Sequence, residues 1–431
     1  MSRLLLLVPA STYRTEAFLD AARALRLDVT MAVERIAVLP APPSADLLPL
    51  DFSDPVEAAH RVISYARRHP IDAVVGVDDQ TAVLAAHLAE ALGLPHNSIA
   101  SVSAARNKYR MRTLLREHGV PVPHAQTFSI MDDPATLVEQ VRFPCVVKPP
   151  ALSASCGVIR ANNGPEFIAA FRRVAALLHS LGLVQHSEAG QQILVEDFVP
   201  GPEVALEGLL TAGALRVLAI FDKPDPLEGP FFEETIYITP SRQSRDMQHE
   251  IAASAAKAAS ALGLQEGPIH AELRVNAQGV WVIEIAARSI GGRCSRTLRF
   301  AAELSLEELI LRHAFHMDLP SLDRERGAAG VMMLPIPHGG VLREVKGQEE
   351  ARGVPGIEEL AITMEPGQVL VPLPEGTRYL GFLIARGPTP ESVETALREA
   401  HRRLEFLIEA RITQQTEARN RIDTGVRSIR F

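Results

Sequence analysis

Trp281-Val282-Ile283-Glu284-Ile285-Ala286-Ala287-Arg288-Ser289-Ile290-Gly291-Gly292 carries an apolar strand into a carboxylate, an arginine and a glycine turn. Upstream, His270-Ala271-Glu272-Leu273 lies in a second strand-like stretch, 269–275, joined to 280–285 through Asn276 and Gly279. Two such runs around turn residues predict an antiparallel hairpin. Glu272 and Glu284 are an even number of positions apart, which on this reading projects both carboxylates to one face. Paired oxygen ligands suit Mg²⁺ carrying nucleotide phosphates. The plainer alternative is an acidic pair on a solvated face, neutralised by Arg288.

Working outward, Cys145-Val146-Val147-Lys148 is a short apolar strand ending in a lysine, followed by a run of small residues, Pro149-Pro150-Ala151-Leu152-Ser153-Ala154-Ser155-Cys156-Gly157. Small side chains let backbone N–H groups approach phosphate oxygens, and a strand-borne lysine adds a point charge. The Gly-Lys-Ser/Thr ending of a Walker loop is missing, and an ordinary loop fits the same residues. Ile193-Leu194-Val195-Glu196 is another strand, leading through Asp197-Phe198-Val199-Pro200-Gly201-Pro202 to Glu203. Its backbone can read an adenine edge and Glu203 ribose hydroxyls, or the segment is a turn with solvated acids.

The N-terminal stretch alternates strands (4–8, 28–33, 73–77) with helices (15–25, 55–68, 81–92), which predicts a doubly wound parallel domain over residues 1–100. A helix is expected at 107–119, hairpin strands at 205–210 and 215–221, and an Ala-rich helix at 249–262. Beyond Pro320 the chain turns rich in Gly, Pro and Val. This predicts a mostly β domain over 321–431 with strands near 330–335, 339–345 and 379–386, a helix at 392–407 and a loosely ordered polar tail after Ile412. The fold class is α/β and α+β: a doubly wound domain, a central domain over 101–320 with a lid subdomain at about 121–195, and the β domain.

With 44 Lys+Arg against 52 Asp+Glu, the net charge of −8 offers no global field for nucleic acid. The run Leu4-Leu5-Leu6-Leu7-Val8 is too short for a signal peptide, and no stretch approaches the ~20 residues of a membrane span. Cys145, Cys156 and Cys294 form no metal or disulfide pattern, which fits a reducing cytoplasm.

Taken in this order, the segments resemble the ATP-grasp superfamily over roughly residues 100–320. That resemblance implies ATP and Mg²⁺, or Mn²⁺, as cofactors. Lys108 and Lys148 would then contact phosphates, and Ser153, Ser155 and Gly157 would form a mobile lid. Glu196, Asp197, Phe198, Val199 and Glu203 would hold adenosine, and Glu272 and Glu284 the metal. Within the superfamily the likeness is to the L-amino acid ligases, through Val77-Asp78-Asp79, Asp222-Lys223-Pro224 and residues 229–241. It implies a cytoplasmic, ADP-forming ligase of small-molecule carboxylates and amines, amino acids among them, acting through an acyl phosphate. Arg288 would be catalytic, with Glu234, Tyr237, His270 and Gly291 facing substrate. Tyr237 stands where these ligases usually carry histidine, and Ala286 where many ATP-grasp enzymes carry asparagine. A homodimer is expected by analogy. A ligase of another carboxylate, or a nucleotide-binding regulatory protein, are the competing readings.

Overall fold

The computed structural model describes residues 2–9, 12–34, 45–185, 187–410 and 426–430. By its internal packing the chain forms two compact units, each assembled from separated segments.

The first unit takes in Met1–Val122, Val204–Ile220 and Gln243–Arg326. Its N-terminal part is a parallel sheet in the order Ala45–Leu50, Asp28–Glu34, Arg3–Val8, Ala73–Gly76. Leu4 to Leu7 are fully buried, so this strand reads as a continuous apolar run rather than an alternating one. Helices Thr15–Ala24, Pro55–Ala66 and Asp79–Leu92 supply the crossovers. The last of these begins in a capping box between Asp78 and Thr81, and ends at Gly93 in the left-handed region. Gly76 is required just before that cap, because a Cβ there would lie 2.7 Å from Thr81 Oγ1. The strand Ala45–Leu50 and the helices Ile99–Arg106 and Leu306–Ala314 add to the elements expected from sequence.

The same unit holds the antiparallel strands Gly279–Ala286, Gly267–Asn276, Glu203–Thr211 and Ala214–Asp222, apart from Glu203, Phe221 and Asp222, which fall in the second unit. Helices Lys108–Glu117 and Arg245–Leu262 cover one face, burying Met111, Leu115, Ile251 and Ala255 against Leu206, Leu273 and Val282. Burying each of the larger of these side chains contributes about 1.5–3 kcal/mol, so this core fixes the strands that carry Glu207, Glu272 and Glu284.

The second unit takes in Pro123–Glu203, Phe221–Arg242 and Gly327–Phe431. One sheet runs Ala125–Ser129, Gln192–Asp197, Cys145–Lys148, Ile159–Ala161. The helix Gly164–Ser180 packs Phe167, Phe171 and Val174 onto it. A further antiparallel set, Ile236–Thr239, Ala328–Leu334, Gly381–Gly387 and Ile357–Ile362, is covered by the helix Pro390–Arg403.

That helix is shorter than the expected 392–407. It starts on the Thr389 cap with proline in its first turn and stops at Leu404, whose backbone is extended. Glu405–Glu409 is instead a strand, with Phe406 and Ile408 buried in period two and paired to Gly340–Lys346. Of the tail after Ile412, residues 413–425 and 431 lie outside the described residues. Val426–Arg430 forms a strand against Glu405–Glu409 rather than a loose end.

Burial lowers the pKa of His401, on the covering helix, from its ordinary 6.5 to about 4. Between these values the unfolded chain binds a proton that the folded one refuses, so stability rises with pH across that window. The unfolding midpoint should therefore fall as pH drops from 6.5 toward about 4. Substituting His401→Gln should flatten that part of the profile. Parallel wild-type and variant curves would remove His401 as the cause.

Candidate active site

In the first unit the hairpin pairs Asn276 with Gly279, Val275 with Val280, Arg274 with Trp281 and Leu273 with Val282. A two-residue turn pairs residues of odd separation, so Glu272 would next meet Ile283. It does not: the register shifts between Glu272 and Leu273, and Glu272 lies opposite Glu284. The extra residue, Ile283, bulges the second strand and carries Glu284 onto the face of Glu272. Even separation alone would have placed the two carboxylates on opposite faces.

Like charges so opposed are destabilising unless a cation intervenes. Lys108 supplies one, its Nζ 3.2 Å from Glu284 Oε2. It opens the helix Lys108–Glu117, where Asn107 caps the N–H groups of Tyr109 and Arg110. Lys108 is buried, and the two glutamate side chains keep 17% and 23% of their surface open. The oxygen-only donor set of Glu272 and Glu284 fits a hard divalent ion. Ala286, opposite His270, is buried and brings no further ligand.

Beyond the strand, the turn 288–292 is tied down residue by residue. Arg288 donates from Nε and Nη2 to Asp79 Oδ2, at 3.0 and 2.8 Å. Arg14, itself buried, donates to the carbonyl and hydroxyl of Ser289, and Gly292 N–H donates to the Tyr13 hydroxyl. Ile290 N–H donates to Glu207 Oε2 at 2.9 Å. Gly291 stands beside the same tyrosine, its missing Cβ 3.4 Å from the hydroxyl. His270 has Nε2 3.6 Å from Glu272 and Nδ1 3.8 Å from Glu207. Burial pushes the Glu207 carboxyl well above its ordinary range. Burial alone would raise Asp79 as well, but the charge and hydrogen bonds of Arg288, with Lys108 and Arg106, bring it below the usual carboxylate value.

The other group of expected residues lies in the second unit. Lys148 and Glu196, both buried, form an ion pair across neighbouring strands. Asp197 N–H donates to His124 O and Phe198 N–H to Pro144 O, while Val199 is buried. The Arg160 guanidinium lies 4.0 Å from the centre of the Phe198 ring. Lys223 Nζ sits between Glu203, at 2.7 Å, and Glu234, at 2.8 Å, and 4.8 Å from the Tyr237 ring. One ammonium thus serves two carboxylates, and Glu234 is the more open of them, 19% exposed against 8%.

In the small-residue loop, Ser155 and Gly157 take positive φ, at 53° and 73°. A Cβ at Gly157 would strike Pro149, at 2.7 Å. Ser153 O accepts from Cys156 N–H, Ser155 O from Val158 N–H, and Gly157 N–H is bound by Pro374 O at 2.7 Å. Arg173 and Glu375 form a two-pronged pair, at 2.6 and 2.9 Å, on the same flank.

Sequence reasoning gave no role to Glu207 or Lys223, and offered Arg288 only the Glu272 and Glu284 carboxylates as partners, not Asp79. Asp79 and Lys223 were visible inside the quoted motifs. For Glu207 the available signal was a lone carboxylate in an otherwise apolar strand, Val204-Ala205-Leu206-Glu207-Gly208-Leu209.

Three family models match: an ATP-grasp domain over residues 141–297, an ATP-grasp N-terminal domain over 19–96, and an L-amino acid ligase C-terminal domain 2 over 332–409. The chain is similar to alanine–anticapsin ligase of Bacillus subtilis, 24% identical over 268 residues, or 59% of this chain and 56% of the relative. It is also similar to human carnosine synthase 1, 27% identical over 353 residues, or 77% of this chain and 41% of the relative. The chain thus matches about half the length of these curated relatives. Among solved structures, an L-amino acid ligase from Bacillus licheniformis superposes with a TM-score of 0.79 at 26% identity, covering 95% of this chain and 99% of that one.

The Asp79–Arg288 pair is partly shielded, with 24% and 14% of the two side chains exposed. Replacing Asp79→Asn should cost about 1–3 kcal/mol in urea unfolding at pH 7, between the worth of a surface pair and a buried one. Because the folded carboxyl titrates below its unfolded value, the wild-type advantage should hold above the ordinary carboxylate range and vanish as pH falls through the folded pKa. An unchanged unfolding curve at pH 7 would mean the pair contributes nothing.

Proposed function

For a chain that belongs to the ATP-grasp superfamily and is related to the L-amino acid ligases, we propose that it joins a carboxylate to an amine with cleavage of ATP to ADP and phosphate. The observation that carries this reading is the opposed pair Glu272 and Glu284 with Lys108 at 3.2 Å. Oxygen ligands beside a fixed ammonium are what a divalent ion carrying a polyphosphate needs. Mg²⁺ or Mn²⁺, when bound, neutralises phosphate charge and polarises the transferred group. Glu272 and Glu284 would hold it.

The chain's own residues divide the remaining work. Lys148 and Lys108 meet phosphate charge, while Ser153, Ser155 and Gly157 cover the phosphates and exclude water. The backbone of Glu196, Asp197, Phe198 and Val199 reads adenine, and Glu203 accepts from ribose. A substrate carboxylate oxygen bonds to the γ-phosphorus as the bond to ADP breaks, giving an acyl phosphate. The amine then bonds to the acyl carbon, phosphate leaves, and one proton is released. The Arg288 fork, held by Asp79, stabilises the oxyanion formed on the way. His270, on the strand of Glu272, takes the proton, and Gly291 leaves room for the acyl group.

Amino acids are the substrate class this reading favours. Glu203 and Glu234 flank one lysine, and Glu234, the more open of the two, would accept a substrate ammonium. The buried Tyr237 ring bounds that place. The names alanine–anticapsin ligase and L-amino acid ligase, each of which includes an amino acid, support the class without fixing the pair.

A screen of amino acid pairs should give ADP, phosphate and amide in equal amounts. AMP and pyrophosphate in their place would sink the mechanism. Glu284→Ala should lower turnover by at least about a hundredfold, as expected for loss of a metal ligand, with an unchanged circular dichroism spectrum. Near-normal turnover at saturating Mg²⁺ would take Glu284 out of the metal site.

Glu234→Gln should raise the KM of the amine-bearing carboxylate substrate by about tenfold or more while ATP binding stays within about twofold. Equal loss of both in direct binding measurements would count against the division of labour.

A further inference from the structure

Glu207 is a fully buried carboxyl on a strand whose neighbours in sequence are apolar. Its Oε2 accepts from Ile290 N–H, and its Oε1 meets no protein donor. A fully buried carboxyl is costly to desolvate, and a single hydrogen bond offsets only part of that cost. Such a group persists where it serves something other than stability. Its one strong contact falls in the middle of the turn that carries Arg288 and Gly291. Asp79, Arg14 and Tyr13 hold the residues on either side, but Ile290 N–H, also buried, depends on Glu207.

We propose that Glu207 is a positioning residue: by capping the Ile290 amide it fixes the backbone of the 288–292 turn, and with it the direction from which Arg288 and Gly291 meet the reacting acyl group. It touches no substrate and acts through the turn. The carboxyl also walls one side of His270, at a distance too long for a hydrogen bond. The kinetic half of this proposal rests on the ligase reading; the structural half does not.

The test compares Glu207→Met and Glu207→Gln with wild type in the full chain. Met keeps the volume and removes the acceptor; Gln keeps an acceptor oxygen for Ile290 N–H. For Glu207→Met the unfolding temperature should change little, because relief of the desolvated carboxyl offsets the Ile290 N–H left unpaired. Amide exchange in the peptide spanning 288–292 should speed up, and kcat should fall by about tenfold or more with the KM for ATP within about twofold. Glu207→Gln should keep slow exchange and a kcat within about threefold of wild type. A purely structural role predicts the reverse for Met, lower stability with kcat intact in the folded fraction. Normal kcat with wild-type exchange in Glu207→Met overturns the proposal, as does a Gln variant as impaired as Met. Should the Met variant not fold, the Gln variant decides: protected amides with near-normal kcat support the assignment, and fast exchange with low kcat refutes it. If wild type makes no amide from any pair, the ligase reading fails, while the exchange comparison still judges whether Glu207 holds the turn.

Discussion

Two carboxylates facing each other across a pair of antiparallel strands is an arrangement that folding disfavours, and the candidate site is built around it. Glu272 and Glu284 meet because one residue too many, Ile283, sits in the second strand. The repulsion that results is met by Lys108, which opens a helix far off in sequence, and by the charge of Arg288 just past the strand, the latter held in turn by Asp79. Each of these long side chains gives up rotamer freedom worth as much as ~2 kcal/mol to stay in place. The sheet core of Leu206, Leu273 and Val282 provides the burial that offsets this. Apolar packing therefore sets the positions, and the charges occupy positions that packing alone would not choose.

The second unit solves a similar problem with the opposite balance. Lys148 and Glu196 are one cation to one carboxylate, whereas Lys223 serves both Glu203 and Glu234. In that trio Glu234 is the more exposed carboxylate, 19% against 8% for Glu203.

Much of this was legible from residue order, and the reasons differ from place to place. The parallel sheet announced itself because Leu4 to Leu7 form an uninterrupted apolar run between helical patterns. Lys148, Glu196 and Glu284 were visible because a charge follows an apolar stretch in each case, although only Lys148 ends its strand. Two things were hidden. A bulge has no reliable signal in one sequence, since Ile283 looks like any other strand residue, so the parity of Glu272 and Glu284 pointed to the right face on a rule that holds only for an irregular hairpin. Long-range partners were hidden too: Asp79 and Arg288 are 209 positions apart, and Glu207 and Ile290 are 83, distances over which pattern says nothing. The expected helix over 392–407 overran because Phe406 and Ile408 continue an apolar pattern whose period changes from helical to alternating at Leu404.

The small-residue loop is moored to the C-terminal segment by the Gly157–Pro374 hydrogen bond and by the Arg173–Glu375 pair. These ties reach across about two hundred positions of chain within one unit. In a lineage where domains are exchanged or truncated, the loop is therefore not a portable cassette. A chimaera that takes residues 123–203 from one parent and 327–410 from another inherits a loop cut for a different mooring. Changes at 153–157 and at 372–376 should accordingly travel together through descent.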